Sequence, residues 1–306
     1  MTLPSIAVAA GGCWSRAVLA SGALDSAAPP AFWAADWIIT LTGVAIVVLV
    51  GQYWLRHGRP DWFAAPPDGA HVLREDAVLL AALSYLAAAS LLSGLMHTLA
   101  WGEESPWSGL VVNSGAQMAG IVACLLIAVK KLPGGAREFV FGRSEPPKIR
   151  RWVVVASATV VTLALCPVIH DWTVSALQGL WPDYKTTPHS TIRALQQSAS
   201  SWPVEIALWI GAAFIAPIAE EFFFRGIVQN FLHHLTGSRG VAIGVAAMSF
   251  AAVHFSQPDT MIALLFLGTL LGISYGLTGA LSVPIVIHAL FNLKTLIWIA
   301  ASNRIQ

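Results

Sequence analysis

Between residues 220 and 292 three short patterns interrupt otherwise apolar sequence: Glu220-Glu221-x-x-x-Arg225, Phe250-x-x-x-His254 and His288-x-x-x-Asn292. On a helix, positions four apart share a face. Glu221 and Arg225 can therefore pair, which offsets much of the cost of burying either charge. Glu220 has Phe224 at the same spacing and so lacks a partner of its own on the helix. A carboxylate kept in apolar surroundings is a better base than one in water, and such a group can take a proton from a reacting water. His288 and Asn292 point the same way, and two donors aimed at one spot can stabilise an oxyanion in a dry site. The same pair could instead tie helices together, a contribution of about 0.6–2 kcal/mol per hydrogen bond. Taken alone, His254 reads as a satisfied core histidine, and Glu220, Glu221 and Arg225 as a structural ion cluster.

The elements that carry these residues follow from composition. The chain has 306 residues, 56% apolar and 11% charged, against about 25% charged in an ordinary soluble protein. So few charges cannot cover a body of this size, which excludes a soluble globular enzyme, a disordered chain and a disulfide scaffold. The formal net charge of +1 offers no basic field for nucleic acid. Cys13, Cys124 and Cys166 are odd in number and widely spaced, as free thiols are. Arg16 is the one basic residue of the first 30, so no cleaved secretory signal is expected. The small residues before Cys13 lack the Leu and leading charge of a lipoprotein site.

The expectation is an all-α polytopic membrane protein of about eight transmembrane helices, each about 20 residues long. Ala31 to Leu55, Ala77 to Trp101, Gly109 to Val129 and Trp152 to Ile169 are the first four spans. A polar connection from His170 to Trp202 follows, with a short amphipathic helix over Thr191 to Ser198. Pro203 to Leu235, Val241 to Phe255, Thr260 to Leu277 and Leu281 to Ala301 complete the set. The Pro203 to Leu235 segment would be about 50 Å long as one helix, so it must bend at Pro217 or project beyond the bilayer. Residues 1–202 form an N-terminal membrane region, and residues 203–306 the core that holds the polar site.

Lys and Arg place the loops. The 56–76 loop has three and the 130–151 loop seven, whereas 102–108 and 256–259 have none and 170–202 has two. The bias puts the basic loops in the cytoplasm and both termini outside. Trp107, Trp152, Trp172, Trp181 and Trp202 fall near span ends, where interfacial aromatics sit. Asp36, His97 and Lys294 also lie near span ends, and snorkelling or a backbone partner accounts for them.

Depth tests whether the motifs can meet. Counting at 1.5 Å per residue puts His254 roughly 21 Å and Glu220 roughly 22 Å above the cytoplasmic end. His288 comes out at only about 10 Å, so the last helix must begin earlier or tilt. Gly268, Gly272 and Gly276 repeat every fourth residue, which lets helix backbones approach closely and would draw the polar spans together.

The order and spacing of the three motifs resemble the CAAX-protease and bacteriocin-processing family of intramembrane proteases. Ala216-Pro217, Arg225-Gly226 and the Gly268, Gly272, Tyr275, Thr278-Gly279 and Leu281 series are similar to that family as well, over residues 203–301. The resemblance implies an intramembrane endopeptidase in which Glu220 with His254 activates water and His288 with Asn292 binds the oxyanion. Glu221, Arg225 and Phe250 would support that geometry. No metal is assigned; a zinc-dependent version would use Glu220, His254 and His288 as ligands, although no His-Glu-x-x-His helix is present. The substrate would be a peptide or membrane-anchored protein met in the lipid bilayer, with a bacterial inner membrane as the location. The rivals are a non-catalytic immunity or regulatory protein of the same family and a transporter. The two halves show no internal repeat of the kind many transporters have.

Overall fold

In the computed structural model the described residues are 30–57, 75–98, 106–131, 134–142, 148–186 and 202–303. They form helices, and no strand occurs among them. In chain order these are α1 (Pro30–His57), α2 (Glu75–Thr98), α3 (Pro106–Lys131), α4 (Gly135–Phe141) and α5 (Lys148–Leu180). Then come α6 (Trp202–Thr236), α7 (Arg239–Ala252), α8 (Met261–Thr278) and α9 (Ser282–Asn303). Cys13 and the expected helix at Thr191 to Ser198 lie outside the described residues, as do the side chains of Asp36, His97 and Trp107.

The all-helical expectation holds, and the protein is an integral membrane protein. Its outer faces carry large apolar side chains that no protein covers, such as Leu41, Leu49, Leu83, Leu91, Leu126 and Val153, a surface suited to lipid rather than water. By length and composition three helices can cross a membrane: Ile149–Leu180, Trp202–Thr236 and Met261–Thr278. A fourth arises if α3 and α4, bent by 115°, count as one broken span. Eight spans are thus not all met by this measure. The remaining apolar helices, Trp37–Tyr53, Leu79–Leu92, Arg239–Ala252 and Ser282–Trp298, are shorter.

Three boundaries differ from the sequence expectation for physical reasons. Helix α5 runs on past Ile169, because His170, Asp171 and Thr173 are buried in protein and find partners there. A fall in hydropathy did not end the helix. Helix α4 was not foreseen; it packs Phe139 into a core of Ile121, Cys124, Phe222, Ile227 and Leu281. Helix α7 stops at Ala252, so His254 sits in a turn beyond the helix rather than on it. Pro258 follows closely, and the residue before a proline disfavours helix.

Helix α6 crosses between two cores as a single run, and Pro217 does not break it. Two of its stretches, Gly211–Ile215 and Phe222–Gln229, are π-helical. Phe222 packs into the core just named, whereas Phe224 joins Cys166, Phe250, Leu267, Leu271 and Ile287 on the other side. The line Glu221, Arg225, Gln229 is left between them, buried.

The depth problem of His288 is solved by burying a turn. Gly279 (φ 61°) ends α8, and Ala280 and Leu281 are wholly inside the protein. A Cβ at Gly142 would stand 2.5 Å from the Gly279 carbonyl oxygen, so the segment after α4 covers this turn closely. Helix α9 therefore starts inside the molecule, and a residue less than two turns along it reaches the middle of α6.

Candidate active site

The glutamate pair divides as the spacing predicts. Arg225 Nη1 donates to Glu221 Oε1 at 2.8 Å, and both side chains are completely buried. His288 Nδ1–H donates to the same oxygen at 2.9 Å. An ionised carboxylate has no proton to offer, so the ring supplies the hydrogen. Among the described residues, Glu221 Oε2 has no hydrogen-bond partner. The opposite ring nitrogen, His288 Nε2, stands 3.8 Å from Glu220 Oε2. Glu220 is the open member of the pair, with 26% of its side chain exposed, against 4% for His288.

Phe250 joins the two histidines. Its ring meets His288 edge-on at 5.7 Å between centroids and His254 at 5.3 Å. The Arg225 guanidinium stands over the same ring at 4.7 Å, a cation–π contact that is strongest when desolvated. His254 Nδ1–H donates to the Phe250 carbonyl at 2.9 Å, which leaves Nε2 as the acceptor nitrogen of a neutral ring. Among the described residues His254 forms no ion pair, so the imidazole brought within 4 Å of Glu220 is that of His288.

Asn292 reaches a different partner. Its Nδ2 donates to the Ala212 carbonyl at 2.9 Å. The first π stretch explains why that oxygen is available. The Ala216 N–H donates to Gly211 O, five residues back, and Pro217 has no N–H. Neither donor that would close a turn on Ala212 O is left for it. One Asn292 N–H is taken up there, and the amide has a second.

Gln229 and Asn230, which the motifs did not flag, join Arg225 in holding the frame. Arg225 Nη2 donates to Gly268 O and Gln229 Nε2 to Gly272 O, each at 3.1 Å. The two donors and the two acceptors are each four residues apart, so one turn of α6 is matched to one turn of α8. The glycines make that approach feasible: a Cβ at Gly272 would stand 2.9 Å from Gln229 Oε1, and one at Gly268 3.2 Å from the Phe250 ring. Asn230 adds a bond to the Tyr275 hydroxyl at 2.8 Å. Tyr85 on α2 lies within Coulombic reach of Glu220, packed near Gly120 of α3. Polar residues repeating every fourth position at 221, 225 and 229 were the available signal for Gln229; nothing local marks Tyr85. Lys294 lies inside α9 rather than at its end, with its Nζ 5.2 Å from the centre of the Trp298 ring.

Among the described residues no group of three or more His, Cys, Asp or Glu side chains is arranged to hold a metal ion. Glu220, His254 and His288 are therefore not gathered as a zinc triad.

Residues 201–294 match the family model described as Type II CAAX prenyl endopeptidase Rce1-like. The match bears out the likeness carried by the motifs and takes in every candidate site residue from Glu220 to Asn292. It leaves the first 200 residues outside. No curated protein and no solved structure gave a match.

Proposed function

We propose that this chain is an intramembrane endopeptidase that uses Glu220 as the general base for an attacking water. The observation that carries the reading is the spacing of Glu220 Oε2 and His288 Nε2, 3.8 Å apart with Glu221 on the other ring nitrogen. That separation is too long for a direct hydrogen bond and short enough for one water to donate to both groups. Arg225 neutralises Glu221, so the negative charge left over belongs to Glu220. The water oxygen attacks the scissile carbonyl while its proton passes to Glu220. The second Asn292 N–H is a donor for the tetrahedral oxyanion. Glu220 then gives that proton up, by way of His254 Nε2, to the leaving amine as the carbon–nitrogen bond breaks. With its Nδ1–H bound to Glu221, His288 in its neutral form presents Nε2 as an acceptor beside the water, in place of the oxyanion donor that the family resemblance implies.

This reading carries further proposals. The shorter apolar helices complete an eight-span arrangement, the 203–306 region is the catalytic core, and the bacterial cytoplasmic membrane is the location. The substrate is a peptide or a membrane-anchored protein. The test uses purified protein in nanodiscs and a fluorogenic peptide with a prenylated Cys fourth from its C-terminus, beside the same peptide without the prenyl group. Wild-type protein cleaves at least one of them and Glu220→Gln cleaves neither. Equal turnover by both proteins overturns the assignment of Glu220. Full biological activity of the Gln variant without cleavage would favour the non-catalytic alternative.

A further inference from the structure

A second polar cluster lies outside the site just described, and it grips the turn that carries His254. After α7 the backbone passes through short turns: His254 N–H donates to Ala251 O, Gln257 N–H to His254 O and Thr260 N–H to Gln257 O. Such a segment has few constraints of its own. At its end Asp259 is 3% exposed. His170 Nε2–H donates to Asp259 Oδ2 at 3.3 Å, and the Tyr184 hydroxyl donates to Asp259 Oδ1 at 3.2 Å. The other nitrogen of His170 faces Asp171 Oδ1 at 3.2 Å. One turn earlier on α5, Cys166 Sγ approaches the Ala263 carbonyl at 3.7 Å. Residues 166 and 170 of α5 thus hold residues 263 and 259, two contacts each one helical turn apart. Burial would raise the Asp259 carboxyl, but the bond and charge of His170 and the bond from Tyr184 keep it below the ordinary carboxylate range. Tyr184 is shifted the other way, by burial and then by the Asp259 charge.

Burying a carboxylate is costly unless several donors meet it, and the donors here come from α5 and the chain just beyond it. Those residues lie outside the 201–294 match. Backbone hydrogen bonds link Asp259's neighbour Thr260 through Gln257 to His254. A displacement at Asp259 is therefore passed along a short, bonded path to the imidazole.

We propose that Asp259, clasped by His170 and Tyr184, is the positioning element for His254, so that the N-terminal region sets the geometry of a residue in the C-terminal site. The clasp rests on the reading of His254 as part of the chemistry, and its test has a separate readout. Diethyl pyrocarbonate labels neutral imidazoles, and peptide mass spectrometry reports the rate at His254 and at His288 in the same sample. In Tyr184→Phe and Asp259→Asn the His254 rate rises several-fold and the His288 rate does not change. With the prenylated peptide, kcat falls about tenfold or more at unchanged KM. His170→Gln, which keeps a donor near the Nε2 position, stays closer to wild type than His170→Ala. Unchanged His254 labelling in Tyr184→Phe and Asp259→Asn overturns the clasp, as does unchanged kcat in a series where Glu220→Gln is inactive. Should Asp259→Asn fail to fold, Tyr184→Phe, which keeps the ring, decides alone. Wild-type turnover by Glu220→Gln removes the catalytic reading instead, and the labelling rates still decide for or against the clasp.

Discussion

Two histidines in this protein are each set between two acids. His288 has Glu221 at 2.9 Å and Glu220 at 3.8 Å; His170 has Asp171 at 3.2 Å and Asp259 at 3.3 Å. The residue types are nearly the same and the surroundings are not. Around His170 both carboxylates are tucked away, at 10% and 4% side-chain exposure, and the cluster is closed. Around His288 an arginine takes one acid wholly out of play, and the other stands 26% exposed at a distance that leaves room for a shared water. An imidazole between carboxylates is therefore not reactive by composition. What separates a clamp from a candidate active site is one neutralised acid and one accessible acid.

Glu220→Gln tests the open acid and should give the largest effect. It removes the base while keeping the shape, and loss of a general base lowers turnover by about 10²–10⁴-fold. Peptide cleavage measures it, and an unchanged melting temperature shows that the fold is intact. Next in size is Arg225→Ala, which leaves Glu221 buried without its cation, at a cost of about 3–5 kcal/mol. Asp171→Asn removes an acid that no arginine neutralises among the described residues, with a cost of about 1–3 kcal/mol. Denaturant unfolding in detergent compares the two, and equal losses would erase the distinction between the clusters. Gly272→Ala pushes a methyl against Gln229 and should cost about 1–3 kcal/mol, read as a lowered melting temperature.

The smallest effect is in pH. The Asp259 carboxyl is held below its ordinary value of 3.8, so its ionised form favours the folded state. That stability is fully present above pH 3.8 and is lost as pH falls through the lower value of the folded state. The melting-temperature gap between wild type and Asp259→Asn should accordingly be constant near neutral pH and narrow only in stronger acid. A gap that narrows already between pH 7 and pH 5 would contradict the assignment.

The legible parts of this protein are the local ones. The Glu221–Arg225 pair follows from spacing along one helix, and so does the solitary state of Glu220 on that helix. Membrane character follows from the shortage of charge. Loops 170–202 and 256–259 were assigned to one side by their Lys and Arg content, and His170 and Asp259 do meet there. The rest depends on what other helices bring. Hydropathy could not show that α5 continues through His170, because protein contacts replace the lipid that a hydropathy scale assumes. It could not place His254 beyond the end of α7, nor lift the start of α9 into the interior. The partner of Asn292 was hidden for a subtler reason. It required a wide helical turn next to a proline, and neither feature changes the periodicity of apolar residues enough to be noticed.

The wide turns of α6 have a consequence for how this helix can vary. Each α-helical residue advances the chain by about 100° around the axis, and π turns of this kind often mark functional positions. A π turn takes in one residue more than the α turn it replaces, so removing one residue from Gly211–Ile215 would relax it to ordinary helix and leave the facing of Glu220 and of the ladder to α8 nearly unchanged. A residue added there would have no further turn to absorb it and would swing Glu220 and everything after it round by about 100°. The slack in this stretch is already taken up, so it can shorten by one residue but not lengthen.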